Sequence, residues 1–250
     1  MSIFPRAAPQ LPRATPAPSS IIKPVTLLEI AALIGTVVFA ASGAMLGVRK
    51  GFDLLGVIVL GCVTAIGGGT LRDTLTGVLP AVWFKDERYL IAAIAGSLLG
   101  FVAYRRLERR ESELELLDAL GLALFAATAA QTGVKLGFGP LGVIFIGTVS
   151  GVGGGVIRDI LAREVPRIFL PGELYASTAA LGALSVFLLS PVLDGNAVLI
   201  AGSTVTFVAR LAARRYRLTL PTRDPLKPLL EPAGKSTLER KREAALEQDA

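Results

Sequence analysis

The sequence predicts an all-α integral membrane protein: seven transmembrane helices, arranged as two inverted three-helix repeats plus a final helix. Three observations carry the prediction. The 250 residues are 52% hydrophobic and 18% charged, against roughly 25% charged in a soluble domain. The apolar residues gather into seven charge-free stretches, 30–48, 54–71, 89–104, 119–134, 136–157, 174–193 and 195–209. The chain also matches itself without a gap at a shift of 86 residues.

The elements follow in order. Residues 1–24 hold Pro5, Pro9, Pro12, Pro16, Pro18 and Pro24 among Ala and Ser, which predicts a disordered arm. The first three-helix repeat is assigned to 25–106, the second to 113–190 and the seventh helix to 195–213. A tail at 218–250 closes the chain with the run Glu239-Arg240-Lys241-Arg242-Glu243. A bilayer core of roughly 30 Å needs about 20 helical residues, with about 17 tolerated. The shorter stretches are extended by flanking Arg and Lys, whose long stems let the charge reach the headgroups. A helix of a soluble bundle would carry polar residues on one face. These stretches are apolar all round, and the 27 glycines suit helices that pack closely in lipid.

Orientation is set by the basic residues beside each span. With the N-terminus outside, the inside loops hold Arg49, Lys50, Arg105, Arg106, Arg109, Arg110, Arg163 and Arg167, and the last flank adds Arg210, Arg214, Arg215 and Arg217. The outside loops hold Lys85, Arg88 and Lys135, with Lys23 on the arm. The positive-inside rule therefore places the C-terminus on the cytoplasmic side of the cell membrane.

The internal match is specific because it aligns charges, prolines and glycines together. Glu29 falls on Glu115, Phe39 on Phe125, Gly51-Phe52 on Gly137-Phe138, Arg72-Asp73 on Arg158-Asp159, Pro80 on Pro166 and Tyr89 on Tyr175. An odd number of spans per unit means that the second unit enters the membrane from the opposite side. Such inverted repeats commonly place a permeation or substrate path where the halves meet.

The second helix of each unit carries the chemistry. Gly67, Gly68 and Gly69 precede Arg72 and Asp73; Gly153, Gly154 and Gly155 precede Arg158 and Asp159. Each glycine costs about 1 kcal/mol relative to Ala inside a helix, so each triplet predicts a break within the membrane. A break would free carbonyls and N–H groups that only protein or a water-filled path can satisfy, and freed carbonyls could coordinate a cation. The bland alternative is that the glycines only permit close helix crossing. Ionisable residues inside a membrane face a partner or a pathway. Adjacent helical residues point about 100° apart, so Arg72 and Asp73 are expected to be poor partners for each other. Each arginine is expected to find a carboxylate or freed carbonyl in the opposite unit.

Composition removes other chemistries. The single Cys62 and the absence of His exclude an intrachain disulfide, a Cys/His metal cluster and His-based triads. With no nucleophile–base pair or metal motif, an enzyme is not expected. The net charge of +6 is assigned to basic loops, not to nucleic acid.

The repeated Gly-Gly-Gly-x-x-Arg-Asp, followed by Pro80 or Pro166, resembles the bacterial members of the trimeric intracellular cation channel family, also known as a duplicated "glycine transporter" domain family. The resemblance covers about residues 26–213. It implies a homotrimer with a pore through each subunit, lined by helices kinked at Gly67–Gly69 and Gly153–Gly155. It further implies Arg72 and Arg158 as pore-facing basic residues, with Asp73 and Asp159 beside them as pore-lining or gating charges, and a permeant monovalent cation, potassium, in place of any cofactor. Animal members carry a lipid-binding Lys-Glu-Val motif; Leu71-Arg72-Asp73 stands here instead. The partners expected are the bilayer and the chain itself, without a nucleic-acid or protein partner. A secondary transporter of a small zwitterion such as glycine is the alternative, since opposed half-helix dipoles could hold a carboxylate and an ammonium.

Overall fold

The computed structural model describes residues 25–106, 111–170 and 174–220; the predicted arm and nearly all of the tail lie outside them. The described residues form eight α-helices: α1 (Leu27–Arg49), α2 (Leu54–Leu75), the short α3 (Val82–Lys85), α4 (Glu87–Arg106), α5 (Glu111–Lys135), α6 (Pro140–Leu161), α7 (Tyr175–Leu189) and α8 (Gly195–Arg215). Five of them, α1, α2, α4, α6 and α8, are long and apolar enough to cross a membrane. α7 has 15 residues, and α5 carries Glu113, Glu115 and Asp118 in its first half. Large apolar side chains face outward along the helices, among them Leu55, Val59, Leu99, Leu141, Phe145, Ile200 and Val208. A protein in water rarely shows such a surface.

Local chemistry fixes the helix ends. Thr26 and Glu29 form a reciprocal capping box on α1, with Glu29 N–H donating to Thr26 Oγ1 at 3.3 Å and Thr26 N–H to Glu29 Oε2 at 3.1 Å. Asp53 caps α2 by accepting from Gly56 N–H at 2.7 Å, and Asp194 caps α8. α6 instead starts with Gly139 as cap and Pro140 in its first turn, where a missing N–H costs nothing. The turns after α1 and α5 use Gly51 and Gly137, 86 positions apart, at φ +76° and +77°. Only glycine reaches that region without strain.

The two units meet through equivalent positions. Phe39 and Phe125 stack on each other with centroids 5.3 Å apart. A Cβ on Gly68 would overlap the Ser150 carbonyl, and one on Gly154 would overlap the Thr64 carbonyl. A Cβ on Gly67 would lie 2.8 Å from Ile157, and one on Gly153 2.6 Å from Leu71. Residue and counterpart exchange roles in every pair. α2 and α6 cross there in opposite directions, with Leu60 near the start of α2 clustered with Ala162 just after α6.

Contacts define two ends of the bundle. At one end Lys50 pairs with Glu164 at 2.8 Å and Arg214 pairs with Glu115. At the other, Glu29, Asp86 and Thr132 surround a common cavity, and Gln131 Nε2–H donates to the Gly195 carbonyl at 2.5 Å.

Two expectations are corrected here. Neither glycine triplet breaks its helix: α2 and α6 run unbroken through Gly67–Gly69 and Gly153–Gly155, so the triplets free no carbonyls. In lipid an unpaired backbone group costs several kcal/mol, more than the roughly 1 kcal/mol per glycine that disfavours the helix. At Gly67, Gly68, Gly153 and Gly154 the glycines instead let two backbones touch. Both helices also continue past their charge-free stretch, which puts Arg72 and Arg158 in the last turn, where the helix dipole favours a cation.

Candidate functional site

The two Arg-Asp pairs occupy opposite ends of the bundle and share one local design. Arg72 Nε–H donates to Asp73 Oδ1 at 2.8 Å, and Nη2 approaches the same oxygen at 2.7 Å. Arg158 treats Asp159 in the same way, at 2.9 and 2.8 Å. The expectation that neighbours would not pair is thus corrected: the arginine stem is long enough to fold back along its own turn. The second carboxylate oxygen is used too. Asp73 Oδ2 accepts from Val82 N–H at 2.9 Å, and Asp159 Oδ2 from Arg167 N–H at 3.2 Å. Each aspartate therefore ties the segment after the helix back onto the arginine.

Beyond that shared unit the two sites differ. Arg158 is fully enclosed, with 0% of its side chain exposed. Its Nη1 donates to Asp118 Oδ1 on α5 at 2.6 Å and to Ser42 Oγ on α1 at 3.0 Å. The Tyr175 hydroxyl borders the same carboxylate, both oxygens flanking the space above Gly155. Arg210 of α8, itself buried, lies over the Tyr175 ring with its guanidinium carbon 4.9 Å from the centroid. The carboxylate expected from the opposite unit comes instead from the same unit, and the opposite unit supplies only the Ser42 hydroxyl. Along the sequence, Asp118 and Ser42 carry no motif, Tyr175 stands out only as the repeat counterpart of Tyr89, and Arg210 only as a basic residue flanking the last span. The repeat held a signal for the first of these, because Asp118 aligns with Ala32, a charge gained in one copy alone.

Arg72 faces a cavity of about 220 Å³, bordered by Glu29, Ala32, Asp73, Asp86, Tyr89, Thr128 and Thr132. A narrower recess of about 20 Å³, room for about one water, continues past Gly69 and Ile66 to Phe125. On the rim, Arg88 grips Asp86 through Nε and Nη2 at 2.7–3.0 Å. That contact holds the Asp86 carboxyl below the usual carboxylate range, so it is an anion at neutral pH. The predicted residues thus separate: Arg72 and Asp73 line an open cavity, whereas Arg158 and Asp159 are buried, and Gly67, Gly68, Gly153 and Gly154 form the helix crossing between them.

This duplicated architecture can be set beside known proteins. The sequence profile of the family described as Glycine transporter matches twice, over residues 29–105 and 115–191. The chain belongs to that family. Both copies of the glycine-transporter domain carry an Arg-Asp pair, and the start points of the two matches differ by the same 86-residue shift found within the sequence. A UPF0126 membrane protein of Deinococcus radiodurans is 50% identical over 192 residues, 76% of this chain and 89% of that protein. The UPF0126 inner membrane protein YadS of Escherichia coli (strain K12) is 41% identical over 195 residues, 76% of this chain and 93% of that protein. Among solved structures, the TRIC trimeric intracellular cation channel orthologue from Rhodobacter sphaeroides matches with a TM-score of 0.73 at 33% identity, covering 78% of this chain and all of that one (100%). A second, described by the structural basis for conductance through TRIC cation channels, matches with a TM-score of 0.72 at 38% identity, covering 80% of this chain and 98% of that one. The glycine-transporter family member described here is accordingly a multi-pass membrane protein with the TRIC-type fold.

Proposed function

We propose that the chain is a monovalent-cation channel, permeable to potassium, that works as a homotrimer with a pore in each subunit. The observation that carries this reading is the match to TRIC cation channels along nearly their whole length at 33–38% identity. The geometry agrees with it. Seven membrane crossings, with the second repeat inverted and the N-terminus outside, would put the Arg72 cavity at the outer end and the Arg158 cluster at the cytoplasmic end. The basic residues Lys50 and Arg214, which meet Glu164 and Glu115, would then all sit inside, as the positive-inside rule requires.

In this reading the Arg72 cavity is the outer vestibule. Glu29 and Asp86 on its rim favour cations over anions at the mouth. The path narrows at Phe125 beside the α2–α6 crossing, and the buried Arg158–Asp118 pair closes the far end. Conduction requires α2 and α6 to part where Gly67 and Gly68 meet Gly153 and Gly154. Voltage acting on the Arg158 guanidinium would bias that opening.

Recording from purified protein in planar bilayers, under potassium, sodium and chloride gradients, tests the proposal. Cation-selective current is expected, with open probability or conductance altered in Arg158→Ala and Arg72→Ala. A protein silent at every voltage would overturn the channel reading, and unchanged currents in both variants would remove the arginines from the gate. Saturable counterflow of labelled glycine without net current would assign the chain to the transporter class instead.

A further inference from the structure

We propose that the turns following α2 and α6 are lipid anchors, one at each end of the bundle. They seat exposed apolar side chains at the boundary between headgroups and acyl chains, and hold the two Arg-Asp pairs at that depth. Turns that face water are ordinarily polar. These expose large apolar residues instead: Leu79 and Phe84 after α2, and Val165, Phe169 and Leu170 after α6, with Phe84 at 66% and Phe169 at 71%. The pattern is duplicated. Leu79 falls on Val165, Trp83 on Phe169 and Phe84 on Leu170 in the 86-residue match. Yet one turn contains the short helix α3 and the other a single 3₁₀ turn, Arg167–Phe169. Two backbones of different shape thus keep an apolar outer surface at the same place in each copy.

Helix length sets the depth of these turns. α2 and α6 have 22 residues each, roughly 33 Å at about 1.5 Å per residue, against a hydrocarbon core of roughly 30 Å. Each helix therefore delivers its following turn to the interface, where aromatic side chains concentrate. Lipid is the occupant because the apolar residues follow directly on Leu75 and Leu161, which face outward at the ends of the two spanning helices. Exposed basic side chains stand beside both turns to meet phosphate, Lys85 and Arg88 at one and Arg163 at the other. The anchors are also tied inward. Val82 N–H donates to Asp73 Oδ2. The indole N–H of Trp83, whose ring stacks on Phe84 with centroids 3.7 Å apart, donates to Thr70 Oγ1 at 3.0 Å. At the other end Arg167 N–H donates to Asp159 Oδ2. A displacement of either turn relative to its helix reaches the arginine through the adjacent aspartate.

Trp83 is the only tryptophan of the chain, so it reports on one turn without any substitution. The full-length protein is reconstituted in phosphatidylcholine vesicles whose acyl chains carry bromine either near the ester or near the methyl end. The loss of Trp83 emission should be greater with bromine near the ester, and aqueous acrylamide should quench weakly. Trp83→Phe combined with Phe169→Trp reads the other turn in the same way. Three results would overturn the proposal. Quenching by neither lipid would place a second copy of the chain over the turn. Stronger quenching near the methyl end would place it in the wrong layer, and acrylamide outdoing both lipids would place it in water. Should the double variant fail to fold, Trp83 in the native chain decides. The effect on gating rests on the channel reading. At fixed voltage, open probability should change on the order of tenfold between short-chain and long-chain lipids, which a few Å of mismatch can supply. Phe84→Ser combined with Phe169→Ser should flatten that dependence. A native channel indifferent to chain length, or a variant as sensitive as the native chain, would overturn the coupling. A protein silent at every voltage would overturn the channel reading, with the anchors still decided by quenching.

Discussion

Arg72 and Arg158 sit at equivalent positions of a duplicated sequence, make the same bonds to the aspartate that follows, and end in different environments. Arg158 is sealed among Asp118, Ser42 and Tyr175, while Arg72, with 13% of its side chain exposed, opens on a cavity. One substitution on a neighbouring helix, Ala32 against Asp118, accounts for much of the difference. The comparison shows how a repeat diversifies: the local pairing is inherited with the motif, and the surrounding shell decides whether it becomes a lock or an accessible site. A buried ion pair of this kind brings little net stability, because desolvation offsets the attraction, but removing one partner is severe.

The comparison can be broken or sharpened by mutation. Asp118→Ala should have the largest effect. It strands a fully buried guanidinium with one carboxylate, and losses of about 3–5 kcal/mol are typical of such changes. Thermal unfolding in detergent should show a large fall in midpoint or no folded protein. Arg72→Ala should cost less, about 1–3 kcal/mol, since Asp73 keeps the Val82 N–H and solvent reaches the cavity. Equal losses in the two variants would refute the distinction between lock and open site.

The third glycine of each triplet gives a finer test. A Cβ on Gly155 would lie 2.7 Å from the Tyr175 hydroxyl, whereas the nearest side-chain atom to one on Gly69 is Phe125 at 3.8 Å. Gly155→Ala should therefore destabilise by about 1–3 kcal/mol through overpacking. Gly69→Ala should be neutral or gain up to about 1 kcal/mol in helix propensity. The same midpoints measure both, and a reversed order would mean that the two ends are packed alike. Lys50→Ala should have the smallest effect. Its bond to Glu164 is about one-third exposed, 32% and 31% for the two side chains, and such pairs contribute about 0–1 kcal/mol. A larger loss would mark the basic end as held by charge pairing and not by its apolar cluster.

Much of the fold was legible because it is written locally. Helix starts at Thr26, Asp53 and Asp194 follow from capping chemistry, and the turns at Gly51 and Gly137 from backbone freedom. Charge-free stretches located the long helices but ended α2 and α6 about a turn too soon and began α5 too late. A charge marks the end of a span only where it lacks a partner, whereas Arg72 is held by the adjacent Asp73, and Arg158 meets Asp118 from a helix that the sequence does not place beside it. The triple glycines were misread as breaks for a related reason. Intrinsic propensity argues against a helix there, and both the need to pair every backbone group in lipid and the close crossing at Gly68 and Gly154 outweigh it.

The sequence by itself determined that this is a duplicated, multi-helical membrane protein with one Arg-Asp pair per copy. Those properties reside in composition, periodicity and an 86-residue self-match, each readable along one dimension. Only the tertiary structure decided that the equivalent arginines part company, one enclosed and one facing a cavity. Their fates depend on side chains from α1 and α5 that lie far away in the chain and come together only when the helices pack, in a medium where every charge must find its partner across space.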